Sequence, residues 1–367
     1  MKIFLVSILK LGLRILYAPI KLFKTKDRIV YLSRQSNEKS IDMLLLEKAI
    51  AAQNPNVEQV FRVRMIDDGL AAKLKYCFYV IGDMYYLATS RVAILDTYSI
   101  TVSCLKHKKS LKVIQLWHAL GALKKFGLQS VGAKDGRDES ISRAMCMHKN
   151  YDYVIAPSPA TAKFYMEAFG VDQSRIKICP MPRVDRITDG MAKTTEFFSL
   201  NPGVGAKKIV VYVPTFRERE AYITQMLKTE FEDMEDYQLI ISPHPLSKAP
   251  QDERYLPNGS FSSLDLMKIA DIIITDYSAC AFEAALLMKP LYFFVPDYKE
   301  YNSDRGVNID IKEEMPDAVF EQADELAAAI KAGNYNMAAL YSFKDKYVQT
   351  NNGSNADVLA KFVLMQM

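Results

Sequence analysis

Residues 272–290 constrain this chain more than any other segment. The apolar β-branched run Ile272, Ile273, Ile274, Thr275 stops at Asp276, Tyr277 and Ser278, and an apolar helical pattern follows at once. A strand that turns directly into a helix leaves the unpaired N–H groups of the first helical turn, and the Ser278 hydroxyl, beyond the strand end. Such a helix start binds phosphate through oriented donors and the positive end of the helix dipole. In an open α/β sheet it also lies where ligands collect, at the carboxyl ends of the strands. Ser278 serves equally well as a plain N-cap.

The same rhythm recurs along the chain. Short β-branched runs predict strands at 28–33, 59–65, 92–96, 112–118, 152–156 and 176–179, then at 208–213, 238–242, 272–275 and 291–295. Helical periodicity places helices at 41–51, 72–89, 161–169, 265–269, 278–288 and 324–332. Strands alternating with helices indicate parallel sheets of βαβ units, and strands apolar throughout indicate sheets covered on both faces. A length of 367 residues suggests about two domains. The segment 181–206, with Pro182, Gly190, Asn201, Pro202, Gly203 and Gly205, breaks the rhythm and marks the domain boundary. A polar stretch over 347–355 marks a second boundary near residue 345, before a last apolar helix. The expected fold is α/β, with two doubly wound domains facing a cleft.

A net charge of +4 is too small to argue for nucleic acid. Five scattered cysteines without CxxC spacing speak against a disulfide framework and a zinc site. No clustered carboxylates or HExxH motif suggest a metal, and no cofactor is expected. GxGxxG, P-loop and GxSxG motifs are absent.

The positive charge is unevenly placed. Lys2, Lys10, Arg14, Lys21 and Lys24 interrupt or flank an apolar N-terminal run and fall on one helical arc of about 120°. Charges within the run argue against a spanning helix and against a secretory signal. An interfacial helix on an anionic leaflet fits the pattern, bent at Pro19; an amphipathic helix packed on the domain also satisfies it. The aromatic stretch over 76–87 suits core packing, with lipid contact as the alternative.

Polar residues stand at four strand ends. His118, followed by Gly121, Lys124 and Lys125, suits a base beside an anionic ligand, or else a core histidine bonded to backbone; the lysine pair can also be a solvated helix face. Thr215 and Arg217 end the strand at 208–213. The Arg217 fork can grip a phosphate or pair with Glu218 or Glu220. His244, held between Pro243 and Pro245, is stiffly placed to donate to a phosphate oxygen, or is ordered in a proline-rich turn. Glu283, five residues past Ser278, can reach a ribose diol, face solvent or be paired in the interior. Arg305 offers a second guanidinium downstream. Two histidines, two arginines and a helix start around one cleft suit transfer of a phosphate-bearing group by direct displacement.

In this order the motifs resemble the CDP-glycerol glycerophosphotransferases of wall teichoic acid synthesis. Trp117-His118 with Lys124, Lys125 and Gly127 resembles their WH element. Tyr212 to Glu218 resembles their tyrosine–proline–threonine–arginine element, Pro243-His244-Pro245 their HP element, and Ala270 to Glu283 their acidic TDYSS element. Lys289-Pro290, Asp297 and Arg305-Gly306 continue the sequence, so the likeness covers about residues 110 to 310. Two departures stand out. The turn after His118 is one residue longer than the common form, and Ala279 replaces the second serine.

The resemblance implies a GT-B-like fold of two Rossmann-like domains. It divides the chain into a membrane-association segment (1–26), an acceptor-binding domain (27–190), a CDP-polyol-binding domain (191–345) and a C-terminal helix returning to the first domain (346–367). It implies attachment at the cytoplasmic face of the cell membrane, peripheral or monotopic. It makes His118 and His244 catalytic, with His118 the base on the acceptor hydroxyl. His244, Arg217, Ser278 and Arg305 would hold the CDP pyrophosphate, Asp276 would orient the turn, and Thr215, Lys124 and Glu283 would complete the substrate-binding set.

The longer turn resembles the short priming members and some ribitol-phosphate transferases, and the length resembles the priming members more than the polymerases, which often carry a further domain. The expected reaction moves glycerol 3-phosphate from CDP-glycerol to undecaprenyl-diphosphate-linked N-acetylglucosamine–N-acetylmannosamine, releasing CMP. The alternatives are a CDP-ribitol or polymerising enzyme, a nucleotide-sugar glycosyltransferase of the same fold, or a silent scaffold for the lipid-linked precursor. The sequence leaves the oligomeric state open, a homo-oligomer included.

Overall fold

A computed structural model of the protein describes residues 2–66, 69–134, 136–217, 219–244, 247 and 252–367. Glu218 and Pro245, which figure in the sequence reading, lie outside these residues. The chain forms two compact units: one of Met1–Ala119, Lys125–Asp185 and Gln349–Met367, the other of Leu120–Lys124 and Arg186–Val348.

The first unit holds a parallel sheet of β1 (Arg28–Ser33), β2 (Glu58–Val63), β3 (Val92–Leu95), β4 (Lys112–Gln115), β5 (Tyr153–Ala156) and β6 (Ile176–Ile178), in the order β2-β1-β3-β4-β5-β6. β1 and β3 are buried along their whole length, as their unbroken apolar sequences require of central strands. The strand order reverses between β1 and β3, the point at whose carboxyl ends ligands collect in open α/β sheets.

Helices α1 (Lys2–Ile20), α2 (Ile41–Gln53), α3 (Leu70–Thr89) and α4 (Pro159–Phe169) belong to this unit. α4 shows why the boundaries fall where they do. Ser158 accepts from the Thr161 N–H, Thr161 reciprocates, Pro159 takes the first turn, and Gly170 ends the helix in the left-handed region.

The second unit has β7 (Lys208–Val213), β8 (Tyr237–Ile241), β9 (Ile272–Thr275), β10 (Leu291–Phe294) and β11 (Val319–Phe320), all parallel, in the order β11-β10-β9-β7-β8. Its order reverses between β7 and β9. Beyond β9 comes α5 (Cys280–Leu286), and beyond β10 comes α6 (Tyr298–Asp304). The last helix, α7 (Asn355–Leu364), packs on α2 of the first unit. Asp185 holds its start, accepting from the Asn355 and Ala356 N–H groups at 2.7 and 2.9 Å.

α1 is oriented opposite to the sequence expectation. The basic arc was expected to meet an anionic leaflet, yet its middle residues engage protein. Lys10 donates to the Ala144 carbonyl at 2.7 Å, and Arg14 reaches the Cys104 carbonyl at 3.4 Å. Leu13 and Tyr17 are buried with Val80, Met84, Ala88 and Leu105, and the Tyr17 hydroxyl bonds to His107 Nδ1 at 2.9 Å. The reason is that this face of the first unit presents carbonyl ends, at Cys104 and Ala144, which attract cations. Ile3, Phe4, Ile8, Leu11 and Ile15 are consequently turned outward, Phe4 being 68% exposed. By length and composition alone α1 suffices to cross a membrane. On α3, Val80, Met84, Leu87 and Ala88 are core, while Phe78 and Ile81 are exposed.

Candidate active site

In the first unit the β4 ladder stops at Gln115, three residues short of the expected end. The buried Gln115 side chain captures the Trp117 N–H at 2.9 Å, and Trp117 takes a left-handed backbone, φ +63°. A bulky residue tolerates that conformation only when its surroundings impose it. Here they do: the indole packs on Phe126 and Phe169, with centroids 4.9 and 5.3 Å away.

The kink delivers His118 to the end of β3, where its Nδ1 sits 2.9 Å from the Asp96 carbonyl. Only an N–H can satisfy a carbonyl, so Nδ1 carries the proton and Nε2 is the nitrogen that accepts one. The Asp96 carboxylate itself is 1% exposed, with the Ser33 and Thr97 hydroxyls as its polar neighbours. Burial pushes its pKa up to about 6, with Asp42 adding to it, against the lowering effect of Ser33 and Thr97.

The second unit collects most of the other expected residues at its own reversal point. Asp276, fully buried at the end of β9, accepts the Thr215 N–H through both oxygens at 2.9 and 3.0 Å, fixing the backbone beyond β7. Arg217 joins this turn; among the described residues it does not pair with Glu220, and the expected alternative Glu218 lies outside them. Its Nη2 donates to Asp276 at 2.8 Å, and its Nη1 to both oxygens of Asp297 at 2.7 Å. Burial works against the guanidinium charge, and Asp276, Tyr212 and Asp297 overcome it, so its pKa is raised. A guanidinium already divided between two carboxylates is in the first place a strut.

Lys124 enters this unit on the short segment Leu120–Lys124. The Leu123 carbonyl accepts the Asn308 N–H at 2.8 Å, and Lys124 bridges to Val307. Gly121 is required there, because a Cβ would lie 2.4 Å from the Phe282 ring. Burial and then Arg305 bring the Lys124 pKa down to about 8, against Asp276 and Cys280. His244 stands past β8 with Phe216 5.6 Å away; burial and then Lys124 lower its pKa, again against Asp276.

Ser278 accepts from the Cys280 N–H at 3.3 Å, but α5 starts two residues later than expected and Ala279 stands at its N-cap, so Ser278 closes the turn before the helix rather than capping it. Glu283 is half-buried in the first turn of α5. Arg305 follows α6 and is succeeded by Gly306 in the left-handed region, φ +80°.

Lys124, Thr215, Arg217, His244, Asp276 and Arg305 thus share one neighbourhood of the second unit, while His118 belongs to the first. Sequence reasoning passed over Asp96, Tyr277 and Tyr301. Tyr277 donates to Asp297 at 3.1 Å, and Tyr301 stacks flat on Tyr277 at 3.7 Å. Only their closeness to the recognised motifs signalled them. Among the described residues no group of His, Cys, Asp and Glu is placed to hold a metal ion.

Residues 16–365 match the family described as CDP-glycerol:poly(glycerophosphate) glycerophosphotransferase. The chain belongs to this family. It is therefore a transferase, as the resemblance implied. A teichoic acid ribitol-phosphate primase of Bacillus spizizenii is 30% identical over 327 residues, covering 85% of this chain and 84% of the relative. A teichoic acid glycerol-phosphate primase of Bacillus subtilis is 28% identical over 325 residues, covering 86% and 81%. The wall teichoic acid polymerase TagF superposes with a TM-score of 0.72 at 19% identity, covering 99% of this chain and 97% of that one. The fold is accordingly GT-B-like, as expected.

Proposed function

We propose that this family member is a teichoic acid primase. It transfers glycerol 3-phosphate from CDP-glycerol to a hydroxyl of the N-acetylmannosamine in undecaprenyl-diphosphate-linked disaccharide. The observation that carries the donor half is a deficit of acceptors at one place. Thr215 Oγ1 and Arg305 Nε are buried without a hydrogen-bond partner among the described residues, and beside them Lys124 is a cation made weaker by its surroundings. Buried donors without partners are costly, and a diphosphate brings both the acceptor oxygens and the negative charge they lack.

In this reading Asp276 and Arg217 hold the β7 and β9 turns, and Lys124, Arg305, Thr215, Ser278 and His244 bind the diphosphate. Glu283 takes the ribose. His118 Nε2 removes the acceptor hydroxyl proton as the oxygen forms its bond to the phosphorus bearing glycerol. The bond from that phosphorus to the bridging oxygen breaks, and CMP leaves with His244 donating to its phosphate. Alignment and charge stabilisation are all that this displacement asks of the protein. The outward apolar face of α1 supports attachment to a membrane surface, where a lipid-linked acceptor resides.

A second reading keeps every role and replaces glycerol by ribitol; the 30% identity to a ribitol-phosphate primase favours it. The histidine assignment is tested by His118→Ala, with turnover and donor binding measured separately. Turnover should vanish while the Kd for CDP-glycerol stays within about twofold, since the imidazole acts on the acceptor. Turnover near that of the parent enzyme would remove His118 as the base.

A further inference from the structure

Tyr301 has no assigned role, yet its hydroxyl is among the most conspicuous polar atoms of the second unit. The side chain lies on α6, and its ring is pinned face to face on Tyr277, with centroids 3.7 Å apart and planes 4° from parallel. Tyr277 is itself fixed, because its hydroxyl donates to the same Asp297 carboxylate that receives Arg217. Tyr301 is thus held by two layers of structure that lead back to the β9 turn. Its own hydroxyl is buried and has no hydrogen-bond partner among the described residues.

The partners of the two tyrosines differ in an informative way. Tyr277 spends its donor on the scaffold. Tyr301 is rigid to the same degree and spends its donor on nothing in the described protein. The next residue one helical turn along, Arg305, repeats the pattern with Nε, and positions four apart on a helix share a face. The charges felt by the Tyr301 phenol are those of Arg305, Asp276, Arg217 and Asp297, the groups at the diphosphate site. Burial raises its pKa, so the group stays a neutral O–H and acts as a donor. A rigid, buried donor flanked by a second one of cationic character calls for an anionic oxygen.

We propose that Tyr301 binds the nucleotide donor, its hydroxyl donating a hydrogen bond to a diphosphate oxygen beside Arg305. The proposal rests on the donor reading given above, since it takes the diphosphate to lie at the β7 and β9 ends.

Tyr301→Phe tests it by deleting one oxygen and leaving the stack intact. Kd values for CDP-glycerol, CDP and CMP would be measured by titration calorimetry on the full chain, with thermal unfolding alongside. A hydrogen bond to a charged oxygen implies a loss of roughly tenfold or more for CDP-glycerol and for CDP. The melting temperature should hold or rise, because no internal bond is lost. Three outcomes overturn the inference while leaving the donor reading intact. These are unchanged affinity for CDP; a loss confined to CDP-glycerol, which would set the hydroxyl against the polyol; and a lower melting temperature with unchanged affinity, which would make the hydroxyl structural. A parent enzyme that binds none of the CDP compounds would overturn the donor reading as well.

Discussion

Replacing Arg217 separates a scaffold role from a ligand role. The guanidinium is 7% exposed and bridges Asp276, 0% exposed, to Asp297, 13% exposed. Arg217→Ala would leave two buried carboxylates facing each other without their cation. Removing one partner of a buried pair costs about 3–5 kcal/mol, because the desolvated charge left behind has lost its compensation. For a unit of this size each kcal/mol lowers the melting temperature by about 2–4 °C, so the expected fall is roughly 6–20 °C. Arg217→Lys should recover only part of it, since an ammonium cannot span both carboxylates as the planar fork does. The assay is thermal unfolding followed by circular dichroism, with and without saturating CDP-glycerol. If the cation is chiefly a strut, Arg217→Ala melts early in both conditions, and the double variant Arg217→Met with Asp276→Asn melts closer to the parent. A melting temperature within about 1 °C of the parent, with donor affinity lost, would refute this reasoning. Arg217 would then be the phosphate ligand that the sequence alone suggested.

Other perturbations follow from the same geometry. Asp96 has a folded pKa raised from 3.8 to about 6, so its ionised form is disfavoured in the fold. Stability should fall as pH rises from about 4 to 6, and the deficit above that is at most about 3 kcal/mol. Asp96→Asn should accordingly raise the melting temperature at pH 7 and leave it unchanged near pH 4; a lower melting temperature at pH 7 would mean that the carboxylate is engaged. Lys124, lowered to about 8 by burial and Arg305, should lose its charge as pH rises through 8. CDP affinity should weaken above that pH, and Lys124→Met should abolish this dependence; an unaltered pH profile in the variant would exclude the lysine from the anion site. On α1, Ile8→Glu with Ile15→Glu removes two outward apolar side chains worth about 1.5–3 kcal/mol each when buried in lipid. Partitioning onto vesicles should drop by about a hundredfold or more, and vesicle binding equal to that of the parent would relocate the membrane contact.

What the sequence could say depended on how local the determining interactions are. β1, β7 and β9 occupy their expected bounds because each is an unbroken apolar run closed by polar residues. β11 went unseen: two residues leave no period to read. The expected strand to His118 failed at Trp117, where a side-chain bond from Gln115 overrides the ladder. The partners of Arg217 lie 59 and 80 residues away, a distance over which sequence patterning carries no signal, so the nearby glutamates were the natural choice. Helical periodicity put the N-terminal cations on one arc but could not say which arc faces the protein. The unpaired hydroxyl of Tyr301 is a property of its surroundings and is invisible before the chain is folded.

The central claim is that this transferase moves a polyol phosphate from a CDP donor onto a lipid-linked sugar hydroxyl. Mass spectrometry of the products tests it most directly, with the undecaprenyl-diphosphate disaccharide incubated with CDP-glycerol and, separately, with CDP-ribitol. The account predicts one added glycerol phosphate and an equal amount of CMP. Ribitol phosphate added in its place would select the second reading and leave the residue roles as assigned. Folded enzyme that forms no polyol-phosphate product from either donor would contradict the account.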